Sequence, residues 1–331
     1  MSKQMKPLPP SPAISVILPV LNEEAHLFNS VTSILSQEYH GDFEVVLALG
    51  PSRDRTDEIA RKLVAIDSRV RLVTNPSGKT AAGLNAAIAN SQNEIIVRVD
   101  GHAELPPGYL TTAVDILRTT GAVNVGGIMG AEGISKFEKA VARAMCSALG
   151  VGSSRFHTGG EPGVVDTVYL GVFRREALVA AGGFDERFTR AQDWELNFRL
   201  RKNGGTIFFD PRLHVTYRPR PNLKKLAHQY FEYGRWRRVV SRSHLGTINY
   251  RYAAPPLALI GTFASIALGV FLSPLFFIPA GIYTLFITGA ALAISQSILE
   301  FFLLLVIMPT MHFSWGLGFL TSPKTLVPAL K

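Results

Sequence analysis

Two stretches carry side chains whose type and spacing suit chemistry as well as packing. In EIIVRVDGHAEL, residues 94–105, an apolar run leads to Arg98, and then Asp100, Gly101 and His102 arrive before the chain turns at Pro106-Pro107. A carboxylate at the mouth of a strand, with an imidazole two residues on, is either part of a ligand site or a solvated strand end. In RAQDWELNFRL, residues 190–200, Asp193 opens a segment whose Leu196 and Leu200 recur at helical spacing, a place where a carboxylate also makes a good N-cap.

The elements that must position these residues are legible as alternating strands and helices. Ile14–Val20, Phe43–Leu49, Val70–Thr74 and Glu94–Val99 are short runs rich in β-branched residues, which predicts strands. Between them, Leu27, Val31, Ile34 and Leu35 line one helical face after Asn22, an expected N-cap, with Glu23 and Glu24 in the first turn. Ile59, Leu63 and Ile66 do the same after Asp54. Repeated β-α-β units imply an α/β domain with a mostly parallel sheet covered by helices, and ligands beyond the carboxyl ends of its strands. The first two strands run into PVLNEEAHL and LALGPSRDRTDEIA, turns leading to helix N-termini whose N–H groups suit a nucleotide or phosphate; simple turns and caps are the equal alternative.

The order and content of these stretches resemble the inverting family 2 glycosyltransferases of the GT-A, Rossmann-like fold. The likeness rests on VILPVLNEEAHL (16–27), GPSRDRTDEIA (50–60), GKTAAGLNAAIANSQNEIIVRVDGHAEL (78–105), FRREALVAAGGFDERFTRAQDWELNFRLRKNGG (173–205) and FFDP (208–211). The tail TYRPRPNLKKLAHQYFEYGRWRR and the apolar C-terminus look most like bacterial exopolysaccharide transferases of the succinoglycan, ExoA-like type.

The resemblance implies roles. Such enzymes end a strand in Asp-x-Asp, whose carboxylates hold a divalent cation against the donor diphosphate; here Asp100 matches the first, and His102 stands in place of the second. Because imidazole is a poor ligand for Mg²⁺ and a better one for Mn²⁺, Mn²⁺ is favoured. Asp193 matches the general base that takes the proton of the acceptor hydroxyl, and Gln192 replaces the acidic residue beside it. Where relatives carry an acidic pair after the second strand, this chain has Leu49-Gly50, so the base, uridine by family habit, is read by backbone from Pro19, Val20 and Leu21 and from Gly50 to Ser52. Glu23, Asp54 and Lys79 complete the nucleotide side. Trp194 and Trp236 offer rings to a sugar. Residues 150–163, with five glycines, are expected to form a mobile loop near the acceptor, and Arg155 and His157 could meet a lipid-borne diphosphate.

Composition divides the chain of 331 residues. All but two of its 34 lysines and arginines, and all but one of its 25 acidic residues, precede Ala253; beyond it only Glu300, Lys324 and Lys331 are charged. The domains expected are therefore 1–217 as the transferase, 218–252 as a basic interfacial helix and linker, and 253–331 as an α-helical membrane region. In the middle part Arg220, Lys224, Lys225, Arg235, Arg237, Arg238, Arg242 and Arg251 face only Glu232, with Leu223, Leu226 and Tyr230 at helical spacing. That pattern suits an anionic membrane surface, and the adjoining apolar block argues against nucleic acid as the partner of a chain with pI near 9.7. Leu257–Leu272, Leu275–Ile294 and Phe301–Leu320 are candidate spans, the last crossing or re-entering at Pro309 and His312. QYFEYGRWR is similar to the Gln-x-x-Arg-Trp motif of processive synthases, but Gln229 and Arg235 are three residues too far apart.

The expected protein is thus a membrane-anchored inverting transferase moving a hexose, glucose by resemblance, from a nucleoside-diphosphate sugar, UDP by resemblance, to an undecaprenyl-diphosphate-linked oligosaccharide in exopolysaccharide synthesis. Basic bias places the catalytic domain on the cytoplasmic side of a bacterial inner membrane. Two alternatives stand: a polyprenyl-phosphate glycosyltransferase, and a non-enzymatic nucleotide-sugar-binding subunit of a polysaccharide synthase. The N-terminus reads as lacking a signal peptide, and Cys146, the single cysteine, as a small core residue.

Overall fold

A computed structural model describes residues 6–327. Its first part alternates strands and helices: β1 (Ile14–Val20), α1 (Leu27–Leu35), β2 (Phe43–Leu49), α2 (Thr56–Ile66), β3 (Val70–Thr74), α3 (Thr80–Ala89), β4 (Ile95–Arg98), α4 (Tyr109–Thr120) and β5 (Asn124–Ala131). There follow α5 (Lys136–Met145), the short α6 (Ala148–Val151) and α7 (Arg155–Thr158), β6 (Gly163–Val164), β7 (Tyr169–Arg174), α8 (Arg175–Ala180), α9 (Gln192–Lys202) and β8 (Ile207–Tyr217). The remainder is helical: α10 (Leu223–Ser243), α11 (Tyr250–Phe271), α12 (Ile278–Ile294) and α13 (Ile298–Thr321). The strands form one sheet in the order β3-β2-β1-β4-β7-β5-β8-β6.

The expected sheet is present, with a division of labour. From β3 to β4 the strands are parallel, whereas β4–β7, β7–β5 and β8–β6 pair antiparallel. β1 and β4 are buried along almost their whole length because helices cover both faces, which is why they read as apolar runs rather than alternating ones. Ile14, Val16 and Leu18 belong to one core layer with Leu27, Val31 and Ile34 of α1 and Ala113 and Leu117 of α4. Ile17, Val46 and Ile96 belong to the other, with Leu84 and Ile88 of α3 and Leu196 and Leu200 of α9.

Two arginines, Arg174 buried and Arg175 half-buried, tie the loops of this unit. Arg174 donates from Nε to the Ala122 carbonyl, from Nη1 to that of Lys6 and from Nη2 to that of Leu117, at 3.1, 2.7 and 3.2 Å, one of them an otherwise orphaned carbonyl in the last turn of α4. Arg175 does the same for Asn93 and Ile88 and also reaches Ser91 Oγ.

The chain divides into two compact units, one of residues up to Gly130 with Gly159–Tyr217, the other of Ala131–Thr158 with the chain from Arg218 onward. The expected continuous domain 1–217 is corrected accordingly: α5, α6 and α7 belong with the C-terminal helices. The segment 150–163, expected as an irregular loop, instead holds the end of α6, the helical turn α7 and the start of β6. Cys146, expected in the core, is exposed as the C-cap of α5.

In the second unit Tyr250–Phe271, Pro274–Ile294 and Ile298–Thr321 are long and apolar enough to cross a membrane. The first begins earlier than expected and takes in Pro255 and Pro256, and the third runs through Pro309 as one helix. Ser297 caps α13 by accepting from the Glu300 N–H at 3.2 Å, while Glu300 Oε2 accepts from the Gln296 N–H at 2.6 Å and its Oε1 lies 3.3 Å from Arg143 Nε of α5. At the other end Arg242 donates to the carbonyls of Ser322 and Pro323. Glycines set the approach of α10 to α13, because a Cβ at Gly234 would collide with the Trp315 carbonyl and one at Gly318 with that of Phe231. Gly234→Val should therefore lower the thermal midpoint of the detergent-solubilised protein, overpacking costing roughly 1–3 kcal/mol, while Gly281→Val, where an added Cβ meets open space, should leave it near wild type.

Candidate active site

The loops that follow β1 and β2 are laced into one another. Asn22 takes a left-handed conformation with φ 56°, which turns its N–H to Ser52 Oγ at 3.1 Å and its Oδ1 toward the Arg53 N–H at 2.8 Å. Glu23 N–H donates to Thr56 Oγ1 and Glu24 N–H to Asp54 Oδ2, while Asp54 Oδ1 accepts from the hydroxyl and N–H of Thr56. The Thr56 hydroxyl, ahead of the opposing effect of burial, holds the Asp54 carboxyl below its ordinary range. Asn22 is thus a brace between loops and not the expected N-cap, since α1 starts only at Leu27 with His26 before it.

Behind these loops Gly50 and Gly78 allow a close approach: a Cβ on Gly50 would stand 3.1 Å from Gly78 Cα and from Leu21 Cδ1, and Gly78 itself has φ +63°. Pro19, Val20, Leu21, Gly50 and Ser52 therefore line one edge, with the exposed Lys79 at the start of α3. Asp54 stands in this cluster with both carboxylate oxygens bonded to the loops.

The carboxyl end of β4 carries the chemistry. Arg98 is the last residue of β4, and Asp100 lies two residues beyond it. The guanidinium, 5% exposed, donates from Nε and Nη2 to Asp100 Oδ1 at 3.3 and 3.0 Å, and its Nη1 pairs with Oδ1 of Asp193. Asp193 sits in the first turn of α9, behind Ala191 in the left-handed region. The N-cap role open to it in the sequence is not used, and its hydrogen bond goes to Arg98. Among the described residues neither Oδ2 of Asp100 nor Oδ2 of Asp193 is engaged by protein.

The environments push these carboxylates apart. Burial raises Asp193 above the ordinary aspartate range, with the Asp100 charge adding to it and Arg98 opposing. Burial works against ionised Asp100 too, but Arg98, His102 and Arg190 outweigh it and hold its carboxyl below that range. The arrangement contains one firmly ionised carboxylate and one of greater proton affinity, the pairing expected of a charge-holding group beside a base.

His102 Nδ1 lies 2.9 Å from Glu23 Oε1, which orients the ring. Among the described residues no group of three or more His, Cys, Asp and Glu side chains could hold a metal alone. Asp100 and His102 are the residues that would offer a carboxylate oxygen and a ring nitrogen to a divalent cation at the end of β4.

Gln192 is buried at the first position of α9, and Trp194 stacks on Phe198 with ring centroids 5.7 Å apart. Arg155, Gln229, Arg235 and Trp236 belong to the second unit. There Gln229 Nε2 donates to the Tyr233 hydroxyl at 2.9 Å and Arg235 pairs with Glu232 at 2.7 Å. Trp236 is 4% exposed, so its ring is packed and cannot be presented to a sugar as expected. Sequence reasoning passed over three residues of the first unit. Arg98 was signalled by a charge inside a buried strand, two residues before Asp100. Asn85 of α3 donates to the Phe184 carbonyl and accepts from its N–H at 2.8 and 2.9 Å, and Arg199 holds the carbonyls of Ala181 and Gly183 while pairing with Glu195. Together they fix the segment that leads into α9; nothing local in the sequence marks either one.

The model described as Glycosyl transferase family 2 matches residues 15–180. The succinoglycan biosynthesis protein ExoA of Rhizobium meliloti (strain 1021) is 33% identical over 311 residues, covering 92% of this chain and 93% of its own. A dolichyl N-acetyl-alpha-D-glucosaminyl phosphate 3-beta-D-2,3-diacetamido-2,3-dideoxy-beta-D-glucuronosyltransferase of Methanococcus voltae is 25% identical, covering 67% and 71% of the two chains. The mannosyltransferase PcManGT of Pyrobaculum calidifontis, solved in complex with GDP-Man and Mn²⁺, superposes with a TM-score of 0.64 at 19% identity over 94% of this chain and 88% of that one, a likeness of fold. The chain belongs to glycosyl transferase family 2 and is a glycosyltransferase of the GT-A type.

Asn85→Ala should leave the Phe184 backbone unpaired and lower stability by about 1–3 kcal/mol, read as a fall in thermal midpoint. Asn90→Ala, on the exposed end of α3, should change it little.

Proposed function

We propose that this glycosyltransferase is a membrane-anchored inverting enzyme that moves a hexose, glucose, from UDP to a lipid-linked oligosaccharide. The observation that carries the reading is that Asp100 and Asp193 meet on one guanidinium, each bonded to Arg98 through one oxygen and with the other oxygen left over. Asp100, with His102, holds the donor at its diphosphate; the divalent cation, Mn²⁺, when bound there neutralises charge on the leaving diphosphate. The backbone of residues 19–21 and 50–52 carries the nucleoside. Lys79, which follows Gly78, brings positive charge to the phosphates.

Asp193 Oδ2 accepts the proton of the acceptor hydroxyl. The acceptor oxygen attacks the anomeric carbon from the side opposite the diphosphate, the new glycosidic bond forms, and the old carbon–oxygen bond breaks with its electron pair leaving on the diphosphate oxygen. One displacement inverts the anomeric configuration. The raised proton affinity of Asp193 suits it to this step, and Gln192, which cannot ionise, orients the hydroxyl by hydrogen bonding.

Support for the donor class comes from PcManGT, solved with a nucleotide sugar and Mn²⁺. Support for a lipid-linked acceptor comes from the Methanococcus voltae relative, whose name specifies a dolichyl phosphate sugar, and for a role in exopolysaccharide synthesis from ExoA. The three apolar helices and the basic residues of α10 fit anchorage in a bacterial inner membrane with the site on the cytoplasmic side.

Membranes containing the protein should transfer label from one radiolabelled nucleotide sugar, UDP-glucose, into the lipid fraction when Mn²⁺ is present, and chelation should stop it. Asp100→Ala and Asp193→Asn should each lower the rate by at least about 100-fold. Retained transfer in Asp193→Asn would instead indicate an acceptor that is already ionised, such as a polyprenyl monophosphate.

A further inference from the structure

The Asp193 carboxylate has an unusual attachment for a residue in the first turn of a helix. It does not cap α9, and among the described residues its one hydrogen-bond partner is Arg98, which comes from the middle of the sheet. Arg98 reaches this position because it closes β4, two residues before Asp100, and because β4 pairs parallel with β1 on one side and antiparallel with β7 on the other, leaving the residue no freedom to shift register. Its surroundings are closed: 5% exposed, with the Phe184 ring 5.9 Å from Cζ and Tyr169 nearby on β7.

Two ionised carboxylates brought to one guanidinium repel each other unless the cation between them is held in place. A guanidinium is planar and holds its donors in a fixed fork, so it sets an angle as well as neutralising charge. We propose that Arg98 is a positioning residue for the transfer: it locks the acceptor-side carboxylate of Asp193 in a set orientation relative to the donor-side carboxylate of Asp100. It uses one oxygen of each and leaves the other to the substrates. The role rests on the reading of Asp193 as the base, and it gives the protein a fixed cation inside the site in addition to the one that travels with the donor.

The test is a double-mutant cycle on the full-length protein in detergent, with Arg98→Met and Arg98→Lys made in wild-type and Asp193→Asn backgrounds. UDP binding in the presence of Mn²⁺ is measured by calorimetry beside the kinetics. In the wild-type background Arg98→Met should lower kcat about 100-fold, the scale of a lost base, while the donor KM and the UDP dissociation constant move by no more than about threefold. Arg98→Lys, which keeps the charge but not the fork, should recover part of the rate. In the Asp193→Asn background Arg98→Met should cost almost nothing more.

Equal losses in the two backgrounds would overturn the proposal, as would UDP affinity falling in step with kcat, since either would make Arg98 a general support of the fold or of donor binding. If Arg98→Met does not fold, Arg98→Lys is read through the same cycle, where a kcat loss confined to the wild-type background supports the proposal and an equal loss in both overturns it. An Asp193→Asn enzyme with full activity would remove the base reading and this proposal together. An inactive Asp193→Asn enzyme with an unaffected Arg98→Met enzyme would remove this proposal alone.

Discussion

The ion-paired bridge Asp100–Arg98–Asp193 is the constraint around which the first unit is organised. A buried guanidinium is costly unless its donors are matched, and here the matching partners come from the end of a central strand and from the first turn of a helix 95 residues away in sequence. Satisfying that one cation therefore requires β4, β7 and α9 to meet at a set distance. The segment between α8 and α9 obeys the same requirement, since Asn85 and Arg199 pin residues 181–184 by their backbone.

The two halves of the sheet do different things for this site. The parallel half, β3-β2-β1-β4, directs its carboxyl ends to one edge, where the loops after β1 and β2 are bonded to each other through Asn22, Ser52, Asp54 and Thr56. The antiparallel half, from β7 outward, carries α9 and with it the second carboxylate. In the proposed function the first half binds the nucleotide and the second presents the base, a physical way to bring donor and acceptor chemistry together without placing both on one loop. Precision in such a site comes from the rigid elements beneath it.

The strands β1, β2 and β3 begin and end where the runs of β-branched residues do, because a two-sided buried strand must be apolar throughout and turn residues bound it. Helical faces were legible for the same reason of periodicity. Caps were less so. From the sequence Asn22 and Asp193 both read as N-cap residues, yet neither occupies that position: one braces a neighbouring loop and the other pairs with a buried arginine, since a short polar side chain is equally able to bond a distant partner if the fold supplies one. Cys146 and the segment 150–163 depart from expectation on similar grounds: exposure and helical turns are decided by what packs against a residue, and the chain up to Thr158 groups with the C-terminal unit while Gly159 onward returns to the first.

The amino-acid sequence by itself determined the class of fold, the family, the three apolar helices, and Asp100 and Asp193 as the residues worth attention, because hydrophobic periodicity and motif order are local properties of the chain. Only the tertiary structure decided that Asp100 and Asp193 share one buried arginine, that Asp54 braces loops, that Trp236 is packed away, and that residues 131–158 leave the first unit. Each of these depends on contacts between residues far apart in sequence, and such contacts exist only once the sheet has set its strand order.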